Sequence, residues 1–201
     1  MSLVIDIFLQ LKWGVRIKNV FVTGYRAHEL QIFDQKNKAI PFIKKAFKSK
    51  ITSIIEEGAE WIITPGQYGF DLWASEVIIE LREEQYPHIK LSMITAFANQ
   101  EENWKDERKE YYNSIKEQVD FYAEVSKQPY VGPWQFQARD QLLFHKTDGM
   151  VIFYDDEAAP SSMKFVKDRA VKLYNDSNYT FITITADDIQ NAMEVEYDYI
   201  E

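Results

Sequence analysis

Apolar residues in this chain fall into two alternating patterns. Short strand-like segments are Val20-Phe21-Val22, Trp61-Ile62-Ile63, Ile89 to Thr95, Val119 to Val125, Gly149 to Tyr154 and Phe181-Ile182-Thr183-Ile184. Each has strand length, and the first two run into turn-forming residues, Thr23-Gly24 and Thr64-Pro65-Gly66. Between them the spacing becomes helical. From Pro41 to Gly58 the residues Phe42, Ala46, Phe47, Ile51, Ile54 and Ile55 recur with lysines among them, and Gly58 marks a stop. Trp73, Val77 and Leu81 recur at spacing four beside Ala74 and Ile78. Glu107 to Gln118, Trp134 to Lys146 and Ser162 to Tyr174 complete the helices, and Phe97 to Trp104 reads as a longer loop. Strands and helices alternating at these lengths predict one α/β domain with a mainly parallel central sheet and helices on both faces.

Composition narrows the chemistry. The 201 residues correspond to about one domain. Its expected span is 17–201, preceded by an appendage over 1–16 in which Met1-Ser2-Leu3 reads as an artificial start and the rest as an upstream extension or a short helix docking on the core. The apolar stretch Val4 to Leu11 reaches about half the length of a membrane-spanning helix and contains Asp6. It also lacks the basic start and small-residue cleavage site of a signal peptide. The chain has no cysteine, which excludes disulfides, thiolate metal sites and a cysteine nucleophile, and fits a cytoplasmic protein. The net charge of −9 disfavours nucleic acid as a partner. Six acids and no Lys or Arg follow Ala186, an expected acidic C-terminal tail. Arg16 to Lys50 carries nine basic residues against Glu29 and Asp34.

Open α/β sheets bind ligands beyond the carboxyl ends of their strands. The segment after the second strand is Gly66-Gln67-Tyr68-Gly69-Phe70-Asp71, a strand-to-helix turn. Its glycines permit sharp bends and close approach, and the opening N–H groups of the next helix favour an anion. If this turn cradles a ligand, a side chain at Gly69 blocks binding while leaving the fold intact. Asp71 is a candidate for a ribose hydroxyl or for general acid–base work, against a simple role in starting the helix. After the first strand, Thr23 offers a hydroxyl, Gly24 a tight exit and Arg26 a phosphate-pairing guanidinium. Arg139, in the helix before the fifth strand, reaches toward the same pocket or pairs with Asp140. Trp61, Trp73, Trp104 and Trp134 are able to stack a base; of these Trp73 reads as core and Trp104, in a polar stretch, as the better ligand or interface candidate, while His145 reads as structural. The three histidines lack metal-ligand spacing, so no metal is expected.

Several of these motifs, in this order, resemble the YpsA family of the SLOG superfamily, to which the DprA/Smf and Lonely Guy proteins also belong. The carriers are Val22-Thr23-Gly24-Tyr25 with Glu29-Leu30, Ile54 to Gly58 followed by Glu60-Trp61, and Gly66 to Ala74. Tyr86 to Leu91, Glu101 to Trp104, Gln135-Phe136 and Arg139-Asp140 complete them. The resemblance covers about Lys18 to Ile189. It implies a Rossmann-like three-layer sandwich and a nucleotide-derived ligand held by Thr23, Gly24, Arg26, Gly66, Gln67, Gly69, Asp71 and Arg139. It also implies a link to cell division control or stress response through a protein partner, and is compatible with a homo-oligomer. Two alternatives stay open. Lonely Guy hydrolases, which cleave nucleotide N-glycosidic bonds, place an acid four residues after the last glycine, where this chain has Trp73. DprA-like DNA binders pair an Arg with an Asn where this chain has Arg139-Asp140.

Overall fold

A computed structural model describes residues 17–158 and 161–197. The expected appendage over 1–16 lies outside the described residues. Six strands form one sheet: β1 (Asn19–Gly24), β2 (Trp61–Thr64), β3 (Lys90–Phe97), β4 (Phe121–Ser126), β5 (Gly149–Phe153) and β6 (Thr180–Ile184). Their order is β4-β3-β2-β1-β5-β6, and every neighbouring pair is parallel. Parallel strands are covered on both faces, which is why their sequences are apolar runs without alternation. All five residues of β5 are buried, as are the last five of β1.

Six helices connect or follow the strands: α1 (Ala39–Glu56), α2 (Phe70–Glu84), α3 (Asp106–Lys116), α4 (Trp134–Lys146), α5 (Met163–Asp176) and α6 (Ala186–Tyr197). Of the expected apolar positions, α1 buries Ala46, Phe47, Ile51, Ile54 and Ile55, with Ile40 and Ile43 in the core where Phe42 was expected and Phe42 half-buried; Gly58 follows the helix at a φ of 110°. Helix α6 packs on α1, α1 on α2, and α2 on α3, forming one layer. Strands β1 to β4 march in one direction, and the chain then crosses back to set β5 beside β1. With right-handed crossovers that reversal places α4 and α5 on the opposite face, making a Rossmann-like three-layer fold. Helix α4 lies over β1, β3 and β4, and α5 over β6.

The segment expected as an acidic tail instead folds, from Ala186 to Tyr197, as α6. Asp188 accepts hydrogen bonds from the Thr185 N–H at 3.0 Å and from its hydroxyl. With Asp187 it also puts negative charge at the helix N-terminus, where the dipole favours it. Ile189 and Ala192 pack against the core, and Asp188 pairs with Lys50 of α1 at 2.9 Å. Of the acids among the described side chains, Asp187 and Glu194 face solvent and Asp188 is half-buried. Among the described residues, no helix is long and apolar enough to cross a membrane.

Candidate functional site

The exits of β1 and β2 are stitched together by backbone. Arg26 and Gly69 form an antiparallel bridge, with the Ala27 N–H donating to the Tyr68 carbonyl and the Phe70 N–H to the Tyr25 carbonyl, each at 3.1 Å. Gly69 has a φ of 135°, and a Cβ there would stand 2.4 Å from the Ala27 nitrogen. This overturns the expectation that a side chain at 69 leaves the fold intact: the space beside Gly69 is filled by the chain's own backbone. Gly66, at a φ of 69°, would bring a Cβ to 2.8 Å from the Met93 side chain. Gly24 would bring one to 2.7 Å from both Phe153 and Phe70. All three glycines are required by close packing.

Beneath this bridge sits Asp71, the second residue of α2 and only 1% exposed. One carboxylate oxygen accepts from the Thr23 hydroxyl at 2.8 Å and the other from the Gln67 N–H at 3.0 Å. Thr23 belongs to β1 and Gln67 to the turn, so Asp71 locks the two exits to each other. Burial pushes its carboxyl up to about 6, because removing a carboxylate from water disfavours the charged form. The two hydrogen bonds, then the charges of Arg139 and Arg26, pull the other way. The side chain of Gln67 donates to the Gln100 amide oxygen at 2.9 Å, and Gln100 donates in turn to the Gly66 carbonyl at 2.8 Å. Gln100, nearly buried in the loop after β3, went unnoticed in the sequence.

The opposite wall comes from α4. Arg139 is 3% exposed, and its Nε and Nη2 both donate to Asp140 Oδ1, at 2.9 and 2.6 Å. Its Nη1 is buried without a partner among the described residues, as is Nε of the half-buried Arg26. Both guanidinium groups stand over the Phe136 ring, 5.7 Å away for Arg26 and 5.5 Å for Arg139. A buried guanidinium nitrogen with no acceptor costs free energy that native structures seldom leave uncompensated. Thr23, Arg26, Gln67, Asp71 and Arg139 therefore lie together at the carboxyl edge of the sheet, with Thr23 and Gln67 bonded to Asp71 and both arginine charges acting on it. Phe136, quoted in the sequence only as a motif residue, had no site role assigned there, although its position three residues before Arg139 puts both on one helix face.

A second feature lies at the switch point where β1 adjoins β5. A cleft of about 440 Å³ opens there, lined by Tyr25, Ile43, Phe153, Asp155, Ala186 and Ile189 among others. None of Thr23, Arg26, Asp71 and Arg139 lines it. Its acids are engaged: Glu29 accepts from the Arg26 N–H and the Ser161 hydroxyl, each at 2.7 Å, and Asp155 from the N–H groups of Glu157 and Ala186.

Other candidates separate. Trp73 is core, its indole N–H donating to Gln35. Trp104 packs edge-on between Tyr68 and Tyr112. Trp134 is exposed, and so is His145, against the structural role expected for it; it lies near the end of α4 on the solvent side. Among the described residues no three His, Cys, Asp or Glu side chains gather to hold a metal ion.

Comparison with known proteins matches the geometry to a family. The model described as the YspA SLOG family (YpsA) matches residues 20–189. A UPF0398 protein of Brevibacillus brevis is 43% identical over 89% of this chain and 94% of its own length. One of Lysinibacillus sphaericus is 40% identical over 86% and 96%. The UPF0398 protein YpsA of Bacillus subtilis is 39% identical over 89% and 98%. Since the match runs from the second residue of β1 into α6, it spans the whole sheet, the Gly66–Asp71 turn and α4, and the chain belongs to the YpsA family of SLOG proteins.

Proposed function

We propose that this chain is a sensor that binds a nucleotide-derived ligand in the crevice between the Gly66–Asp71 turn and α4. The observation that carries this reading is the buried, unpartnered Nη1 of Arg139, with the unpartnered Nε of Arg26 across the same Phe136 ring. Two donors without acceptors are the complement of an anion, and planar guanidinium groups match phosphate oxygens. Asp71 accepts only one hydrogen bond on each oxygen from the protein, so a ribose hydroxyl can donate to its remaining lone pairs. The ligand's presence is relayed through a protein surface to a partner, in line with the role in cell division or stress response that the resemblance implies.

The test is thermal stability of the full chain against AMP, ADP-ribose, NAD and cyclic nucleotides. A bound ligand at about 100 times its Kd stabilises by about 2.7 kcal/mol. Arg139→Lys, which keeps the charge and loses the fork, removes that gain. Failure of every nucleotide to stabilise the chain overturns the proposal.

One observation favours a second reading, hydrolysis of an N-glycosidic bond. A carboxyl raised to about 6 is partly protonated near neutral pH and suits a general acid. Asp71 would give its proton to the departing base while water adds to the sugar carbon and releases a proton to solvent. Free base released by the wild type and not by Asp71→Asn, followed by chromatography, distinguishes an enzyme from a sensor.

A further inference from the structure

The crevice continues outward into an aromatic rim. Phe136, which carries both guanidinium groups, has Phe97 at 5.6 Å and Tyr130 at 5.9 Å, and Phe97 and Tyr130 stand 5.3 Å apart. Two contacts in succession thus lead from the Arg139 guanidinium to the Tyr130 ring. Tyr130 is 53% exposed, and Val131 and Trp134 beside it are also exposed. Single exposed apolar residues need no explanation, but three within five positions, on a loop and the first residue of the helix after it, do.

The loop is also held in place. Gln135 is wholly buried; its amide oxygen accepts from the N–H groups of Val131 and Gly132, at 2.7 and 3.3 Å. Its amide nitrogen donates to the Ser126 hydroxyl and the Pro129 carbonyl, each at 3.0 Å. Gly132 lets the Trp134 indole lie close, since a Cβ there would already be 3.2 Å from its ring. One buried side chain therefore fixes both ends of a segment whose own side chains are left in water. Rigid exposed aromatics offer contact area at little further entropic cost on binding.

We propose that Tyr130 and Trp134 form a stacking platform for the planar base of the ligand, so that the site selects base-bearing nucleotides over sugar phosphates. This rests on the reading of Arg26 and Arg139 as the anchor for the ligand's phosphate. The base lies outward over the rim while the phosphate sits inward against Phe136, an order set by the sequence of contacts from Arg139 to Tyr130. Stacking accepts any base, since every base offers a π-face.

The experiment measures calorimetric affinities of the full chain for AMP, ADP-ribose and the base-free probe ribose 5-phosphate. The wild type is expected to bind at least one base-bearing probe about 5- to 160-fold more tightly than ribose 5-phosphate, the range that base–aromatic stacking supplies. The double variant Tyr130→Ala/Trp134→Ala, altered at exposed positions, should lose that preference while keeping its affinity for ribose 5-phosphate and its melting temperature. Equal wild-type affinity for ribose 5-phosphate, or an undiminished preference in the double variant, overturns the platform and leaves the anchor standing. Binding by none of the three probes, or binding indifferent to Arg139→Lys, overturns the anchor and the platform with it.

Discussion

Gly69→Ala is expected to damage the fold before it damages any ligand contact. The added Cβ would stand 2.4 Å from the Ala27 nitrogen and 2.8 Å from the Arg26 Cα and carbonyl carbon. These are backbone atoms, which cannot rotate aside as the end of a side chain can. The φ of 135° adds strain of about 1–3 kcal/mol for a residue with a side chain. Relief requires parting the bridge, which loses the Ala27–Tyr68 and Phe70–Tyr25 hydrogen bonds at about 0.5–1.5 kcal/mol each. Together these give a destabilisation of about 2–6 kcal/mol, a large share of the roughly 5–15 kcal/mol that holds a typical domain folded. Urea unfolding followed by far-UV circular dichroism reads this as a fall in midpoint at unchanged slope. A midpoint within about 0.5 kcal/mol of wild type would refute the reasoning, and Gly69 would again be a position kept open for a ligand. Until that is measured, loss of activity in a Gly69 variant reports on the β1–α2 junction and says nothing of binding.

Asp71→Asn is expected to be more stable than wild type at pH 7 and to converge with it near pH 4. The carboxyl is raised from about 4 in the unfolded chain to about 6 in the fold. The native state therefore binds the extra proton in that window, and stability falls by up to about 3 kcal/mol as pH rises through it. Denaturant midpoints of both proteins across pH 4 to 8 check this; parallel profiles would show that Asp71 is ordinarily ionised. Gln135→Ala should cost at least about 2 kcal/mol, because it strips partners from Val131, Gly132, Ser126 and Pro129 at once. Faster hydrogen exchange at Val131 and Gly132 should accompany it, and unchanged exchange there would show that the loop is held by something else.

The fold was legible where its physics is local. Strands buried on both faces read as apolar runs, and α1 and α2 as helical spacings ending near Gly58 and beginning at Phe70. The last helix was not legible from charge: the acids after Ala186 suggested a tail, and only Ile189 and Ala192 reveal a packed face. In the site, the rule that ligands gather beyond strand ends picked out Thr23, Arg26 and Asp71, while Arg139 was read as able either to reach the pocket or to pair with Asp140. Their meeting depends on α4 crossing back over β3 and β1, a non-local event. Phe136 acquires its place between two guanidinium groups only through that crossing. Gln100 and Gln135 hold backbone carbonyls and N–H groups of their neighbours, a role no residue pattern advertises. The glycines were visible, but a sequence marks where a Cβ is missing and not which atoms fill the space.

Asp71 and the arginine pair have opposite effects on an incoming anion, and that opposition shapes what the crevice can do. With Asp71 ionised, its charge and that of Asp140 offset Arg26 and Arg139, so a phosphate enters a nearly neutral site. With Asp71 protonated, the arginines are in excess by one charge and the same phosphate is favoured. By linkage, an anion that binds better to the protonated form must raise the Asp71 pKa further when bound, taking up a proton from solvent near pH 6 to 7. A base-bearing nucleotide would then be held by two separable terms. Stacking on the rim would be indifferent to pH, whereas anchoring of a given phosphate charge state by Arg26 and Arg139 would tighten as Asp71 takes up its proton. A burial cost on Asp71 that weakens the fold at neutral pH is therefore the same feature that would couple ligand to proton, and it places that coupling at the junction of β1, β2 and α2, where Thr23 and Gln67 hold the carboxylate.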